Sequence, residues 1–297
     1  MTAPTFGIVL PPSTAAGVPA ANEIFGFAEA ADKSTLDYLW VPDHILWWHP
    51  MHECLTLLAA LAARTKRIRI GSAVLLLAMR NPVVVAKTLA TIDRLCEGRL
   101  TVGVGVGGEF RPEWDAVGIE WSKRAARTNE MLASLAGLWN EGPFTMKGRH
   151  VSLDAVDLQP KPMTRPPIWI GGRSDAALVR AAKYGDGWMG IFLTAERYAE
   201  QLSKLNSSIH PSLYVWTCIA DDTPTAREQA AAMLGAFYNI PFEKLEKFVI
   251  VGSPEDCAKR FREYADAGVQ NFAVAPITPD ASTDQLLRLT QDVIPLL

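Results

Sequence analysis

Hydrophobic and polar positions follow a two-part pattern along the chain: a short β-branched, apolar run, then a longer amphipathic stretch. Residues 6–10 read as a first strand, closed by Pro11-Pro12, and 22–33 as a helix with Ala and Phe on one side. Residues 38–41 form a second strand ended by Pro42; 53–64 are helical, and 68–77 form a third, long apolar strand. Pro82 sits where a proline opens a helix, which runs to Cys96 and stops at Glu97-Gly98. Residues 100–106 give strand four, followed by a longer loop through Glu109, Pro112 and Glu113 and a helix over 124–139. A hairpin insertion at 144–153 precedes a proline-rich run at 160–167. Strands at 168–170, 188–192, 213–219 and 271–275 then alternate with helices at 174–184, 195–205, 225–237, 254–267 and 283–294. Eight β-to-α units in succession predict a closed parallel (β/α)8 TIM barrel, with an open doubly wound sheet as the structural alternative. Neither a linker nor a shorter repeat is visible, so 1–297 is expected to be one barrel domain.

Composition narrows the function classes. The chain is 49% hydrophobic and 21% charged, the mix of a globular protein with a large core rather than a disordered or fibrous one. Lys plus Arg is 29 against 32 Asp plus Glu, so no basic excess exists to compensate a nucleic acid's charge, and no nucleic-acid partner is expected. Cys54, Cys96, Cys218 and Cys257 make no CxxC or metal spacing and read as reduced thiols. With neither a targeting segment nor a membrane span in the pattern, a cytoplasmic location and no membrane partner are expected.

In such a barrel the chemistry lies at the carboxyl ends of the strands. Directly after strand two come Asp43 and His44, a carboxylate and a group that changes charge near neutral pH; together they could hold a ligand's polar group and exchange a proton with it. A capping Asp beside an exposed His is an equally simple account. Trp47 and Trp48 follow and suggest a pocket wall. His44, His49 and His52 suffice for a metal by count, but no carboxylate pattern supports one, and no metal is expected. Gly71 to Leu75 places small residues in an apolar strand, which permits a bulge or a plain buried strand. Gly103, Gly105 and Gly108 meet the spacing of a dinucleotide fingerprint, but no helix opens there; they leave room for a flat ring, with Glu109 beyond them as a proton acceptor or a solvated carboxylate. Gly171, Gly172, Arg173 and Ser174 lead into a helix, as an anion site does, and Ser174 serves equally as an N-cap.

These places together resemble the luciferase-like monooxygenase superfamily, and more closely its branch that uses the deazaflavin coenzyme F420. The carriers are Trp40-Val-Pro-Asp-His44, Gly71 to Val74 with Arg80-Asn-Pro82, Thr91-Ile-Asp-Arg-Leu95, Glu97 to Gly105, Ala116-Val-Gly118, Pro167 to Gly172, Gly185-Asp-Gly-Trp188 and Val251-Gly-Ser-Pro254. The stretches 115–121 and 251–276 look most like methylenetetrahydromethanopterin reductase. The resemblance implies a cofactor at the strand ends and a non-prolyl cis peptide at Ala73-Val74 that backs the ring, with Leu75, Gly107 and Gly108 beside it. It implies that Asp43 contacts the ring system, that His44 and Glu109 are the acid/base residues, and that Gly171, Gly172, Arg173 and Ser174 meet the cofactor's phosphate. The family's sugar-phosphate dehydrogenase has a hydroxyl side chain where this chain has Leu76, and its sugar-phosphate-binding basic residues have no match. Trp47, Trp48, Phe110, Trp114, Met189 and Phe192 would instead line an apolar, aromatic substrate pocket. The expectation is hydride transfer between F420 and a small hydrophobic substrate. FMN-dependent monooxygenation is the alternative within enzymes, and a cofactor-binding accessory protein the alternative outside them. Family members commonly form homodimers, and the resemblance carries that expectation too.

Overall fold

A computed structural model describes residues 3–13, 17–238, 240–280 and 282–297. In chain order the elements are β1 (Thr5–Val9), α1 (Ala21–Lys33), β2 (Tyr38–Val41), α2 (Cys54–Arg64), β3 (Arg69–Leu75), α3 (Pro82–Leu95), β4 (Leu100–Val104), α4 (Arg111–Ala116) and α5 (Arg124–Trp139). The hairpin β5 (Phe144–Lys147) and β6 (Ser152–Val156) follows, then β7 (Ile168–Gly171), α6 (Asp175–Tyr184), β8 (Gly187–Ile191) and α7 (Ala195–Leu202). The chain continues through β9 (His210–Ile219), α8 (Thr223–Tyr238), β10 (Ile250–Gly252), α9 (Pro254–Asp266), β11 (Asn271–Pro276) and α10 (Asp284–Leu287). The sheet runs β11-β1-β2-β3-β4-β7-β8-β9, all parallel, and the β9–β11 pairing closes it into the expected barrel. β10, a strand the hydrophobic pattern did not reveal, adds to the upper half of β9 with Val251 beside Cys218. Arg111–Ala116, expected as loop, is a short helix with Pro112 in its first turn. The final helix passes into a π-helical stretch at Arg288–Val293.

Two apolar layers result from strand alternation. Ile8, Leu39, Ile70, Leu75, Val102 and Ile170 face the helices in the main core. Val9, Trp40, Ala73, Trp169, Met189, Tyr214 and Trp216 belong to the inner cluster. Its base is filled with large rings: Trp40 stacks on Tyr38 at 4.9 Å and meets Trp169 at 5.3 Å, and Trp169 lies 5.0 Å from His210. Glycines make that filling possible. A Cβ on Gly71 would lie 2.5 Å from Trp40, and one on Gly187 2.6 Å from Trp169. The α3 start is set as expected: the Asn81 side-chain oxygen accepts from the backbone N–H groups of Val83 and Val84, with Pro82 at the first helical position.

Candidate functional site

A cavity of about 620 Å³ opens at the carboxyl ends of the strands, within the range of small-molecule and cofactor sites. Its back is β3. The Ala73-Val74 peptide is cis, and the β3–β4 register breaks between Ser72 and Leu75. Val74 thereby points into the barrel, against strand positions that must be small. A Cβ on Gly105 would stand 2.5 Å from Val74, and one on Gly171 2.9 Å. The bulge also shifts the inward phase by one residue, so Leu76 lines the cavity while Leu75 faces the outer core.

Asp43 and His44 both line the cavity, held by different partners. The Asp43 carboxylate is buried and takes the Arg80 guanidinium as a two-pronged pair at 2.7 and 2.8 Å, and accepts from the Leu76 N–H at 2.8 Å. Arg80 also donates to Glu53, the N-cap of α2, at 2.8 Å. Asp43 thus ties the β2 loop to the bulge. His44 Nδ1 lies 3.2 Å from both carboxylate oxygens of Glu113. Glu113 is completely buried and also accepts from the Ile45 N–H. The imidazole stacks on Trp47 at 3.9 Å. Its Nδ1 is engaged, which leaves Nε2 for exchange with a ligand.

The loop after β4 is held from outside. Arg124 donates to the Gly107 carbonyl, Trp121 Nε1–H donates to the Gly108 carbonyl, and the Arg124 guanidinium lies 3.6 Å over the Trp121 ring. Gly107 and Glu109 line the cavity; Gly108, at φ +124°, turns against Arg124 instead. Glu109 is exposed and lies near Tyr238.

Opposite the bulge, Gly171, Gly172, Arg173 and Ser174 all line the cavity at the start of α6, and the Ser174 hydroxyl oxygen caps the helix by accepting from the Ala177 N–H. Both readings of Ser174 are compatible with this geometry. Six positions beyond Ser174, on α6, Arg180 also lines the cavity and is 6% exposed. Its Nε donates to the Asn129 side-chain oxygen, and Nη1 reaches the Ala176 carbonyl only at 3.5 Å. Among the described residues it has no carboxylate partner, and burial pushes its pKa down. A buried guanidinium that lines the same cavity as a helix start, and reaches back toward that start at Ala176, is suited to an anion.

The expected aromatic wall is only partly made of the expected residues. Trp47, Met189 and Phe192 line the cavity. Trp48 and Phe110 do not line it: Trp48 is 46% exposed, and the two rings pack on each other and on Trp47, behind the lining. Trp114 is buried in a satellite core with Leu76, Ala78 and Met79, so its ring backs Leu76. The remaining wall comes from Tyr214, Trp216 and Phe237, which the sequence pattern shows only as strand and helix positions, and from Tyr238 and Phe248, which it places in no element. His49 stacks on Phe237, and His52 Nε2 lies 3.0 Å from the Pro19 carbonyl, so neither joins His44 around a common point.

A parallel barrel with a wide strand-end cavity, a bulge backed by glycines, a buried acid–histidine pair and a buried guanidinium in the lining is an architecture suited to a flavin- or deazaflavin-binding oxidoreductase. Residues 5–243 match the luciferase-like monooxygenase family, and the chain belongs to it. It is 39% identical over 192 residues to an FMNH2-dependent dimethylsulfone monooxygenase of Pseudomonas fluorescens, a match covering 62% of this chain and about half, 51%, of that protein. It is 28% identical to an F420-dependent glucose-6-phosphate dehydrogenase of Kribbella flavida, covering 95% of this chain and 97% of that one. Among solved structures, the monooxygenase RslO1 of Streptomyces bottropensis superposes with a TM-score of 0.85 at 22% identity, over 98% of this chain and 99% of that one. Among the described residues no helix is long and apolar enough to cross a membrane.

Proposed function

We propose that this protein is an F420-dependent oxidoreductase that moves hydride between the deazaflavin and a small, apolar organic substrate, with His44 as the proton donor or acceptor. The observation that carries the reading is the His44–Glu113 pair: a buried carboxylate with both oxygens 3.2 Å from Nδ1, beside a cavity backed by the Ala73-Val74 bulge. The cavity residues fit the cofactor. Val74, with Gly105 and Gly171 bare against it, leaves a smooth surface for a flat ring; Gly171 to Ser174 and Arg180 suit its phosphate. When bound, the deazaflavin supplies or accepts the hydride. The chain's own part is orientation, exclusion of water and proton exchange. Glu113 fixes the imidazole with Nδ1 engaged, and Trp47 prevents the ring from turning. Asp43, with three of the roughly four acceptor sites of its carboxylate taken by Arg80 and Leu76, holds the loop and bulge in register and keeps one site on Oδ1 for the ring system. Glu109, exposed at the mouth, is the second acid/base candidate.

Support for F420 comes from relatives such as the Kribbella flavida enzyme that align end to end. The 39% identical partial match favours a second reading, an FMN-dependent monooxygenase on the same site. A side-by-side fluorescence titration of the purified protein with F420 and FMN decides between them. Tight F420 binding with negligible FMN binding is the expected result. The reverse overturns the deazaflavin reading and makes oxygen consumption the relevant assay.

A further inference from the structure

The cavity wall contains a polar device that the proton chemistry of His44 does not use. Trp216, on β9, donates its indole N–H to the Tyr238 hydroxyl oxygen at 3.1 Å. That bond occupies one lone pair of the phenol. Among the described residues the phenol's own hydrogen meets no acceptor, so the O–H is unspent in a wall where the rings of Trp216, Phe237 and Phe248 stand with Ile240, Lys244 and Leu245. An N–H donated to a hydroxyl polarises its O–H and makes it a better donor. The phenol also stays protonated, because burial and the nearby Glu109 carboxylate both push its pKa up. Placement matters as much. His44 stacks on the Trp47 indole at 3.9 Å, and Tyr238 meets the same indole edge-on at 6.5 Å. The proton-exchanging group and the unspent donor therefore flank one ring, with Phe192 and Phe237 packed against Tyr238 at 5.4 and 5.1 Å.

We propose that Tyr238, polarised by Trp216, hydrogen-bonds the substrate's oxygen, and that the substrate is a ketone or aldehyde with an aromatic or other apolar body, or the corresponding alcohol. This rests on the deazaflavin hydride reading of the site. In the reducing direction a hydride adds to the carbonyl carbon, the C=O π pair moves onto oxygen, and the proton of the His44 imidazolium completes the O–H bond. The carbonyl compound gains two electrons, and the reduced deazaflavin loses them. Tyr238 keeps its proton throughout and donates to the oxygen as negative charge grows there, where a fixed donor counts most. In the reverse direction the same bond positions the alcohol for loss of its proton to His44.

The test uses isotope-edited infrared spectra and binding titrations of the full chain, both without cofactor and with oxidised F420 bound, which has no hydride to give the ketone. The probes are carbonyl-labelled acetophenone and ethylbenzene, which has a similar body and no oxygen. The wild-type protein is expected to shift the ketone's carbonyl band to lower frequency and to bind acetophenone about tenfold more tightly than ethylbenzene. Tyr238→Phe should remove both the shift and the preference while leaving F420 binding unchanged; Trp216→Phe should reduce the shift. With cofactor, Tyr238→Phe should lower kcat/KM for acetophenone about 100-fold. An unshifted band or no preference in the wild type, or the same shift in Tyr238→Phe, overturns the proposal. Failure of the wild type to bind F420 overturns the cofactor reading instead, and the infrared result still decides the role of Tyr238.

Discussion

Replacing Arg180 by methionine should make the protein bind its cofactor worse and melt no earlier. The guanidinium has five N–H donors. One is spent on Asn129 and one weakly on the Ala176 carbonyl, which leaves three for a ligand at the α6 start. Charge-assisted hydrogen bonds contribute about 1.5–3 kcal/mol, so losing that contact to a phosphate weakens binding by about 10- to 100-fold. The unliganded protein responds in the opposite sense. Arg180 is a buried cation with no carboxylate partner, and desolvation lowers its pKa in the folded state. Below that folded value the group is charged whether the chain is folded or not, so the cost of burying it is present across the whole working pH range. Methionine retains the packed stem and removes that cost, a change of about 1 kcal/mol in favour of folding. The partly exposed Asn129 turns to water in exchange. The melting temperature without ligand should stay level or rise by about 2 °C. Fluorescence titration with F420 and FMN, competition by inorganic phosphate, and thermal melts without ligand measure both sides. Unchanged affinity together with a melting temperature several degrees lower would show Arg180 to be a tie between α5 and α6, and would refute the anion-site argument.

Three further outcomes follow from contacts already described. His44→Ala should lower steady-state turnover about 100-fold or more with cofactor affinity unchanged; Glu113→Ala should do the same, and Glu113→Gln, which keeps an acceptor for Nδ1, should recover part of the loss. Gly171→Ala places a methyl 2.9 Å from Val74 Cγ1, so either the bulge or β7 must move; a loss of about 1–3 kcal/mol in denaturant unfolding and weaker cofactor binding are expected, and wild-type values for both would refute the close-approach argument. Burial opposes the charge on Asp32, but the backbone N–H groups of Ile68, Lys66 and Arg67 outweigh it and hold its carboxyl below the usual range. A lowered folded value stabilises above the unfolded pKa and fades as pH falls through the folded one. The melting temperature of Asp32→Asn should therefore vary less between about pH 5 and pH 2 than that of the wild type.

The barrel was legible because its strands are separated by helices of ordinary length, and prolines and glycines mark the junctions. β10 was not, since three residues of apolar sequence carry no period. At the site, the loop histidine and the glycine-rich α6 start were visible because strand ends are where a barrel carries chemistry. The cis bond at Ala73-Val74 rested on the family resemblance alone. Leu75 and Leu76 could not be told apart, because the bulge moves the inward phase by one place and alternation cannot register that. Glu113 reads as a loop carboxylate until folding brings it 69 positions back to His44. Arg180 and Tyr238 sit in amphipathic helices where a cation and a ring are unremarked; only the closure of β8 onto β9 turns them toward a shared space.

The aromatic filling of the barrel base also sets the order of traffic. Tyr38, Trp40, Trp169 and His210, wedged between the lower strands, plug the barrel toward its amino-terminal end among the described residues. Every molecule must therefore enter and leave by the same mouth. Whatever lies against the Val74 bulge has to arrive before, and depart after, a molecule lying over it. Steady-state kinetics should be sequential and ordered, with the inner ligand binding first, and an excess of the outer ligand should slow the inner one's release.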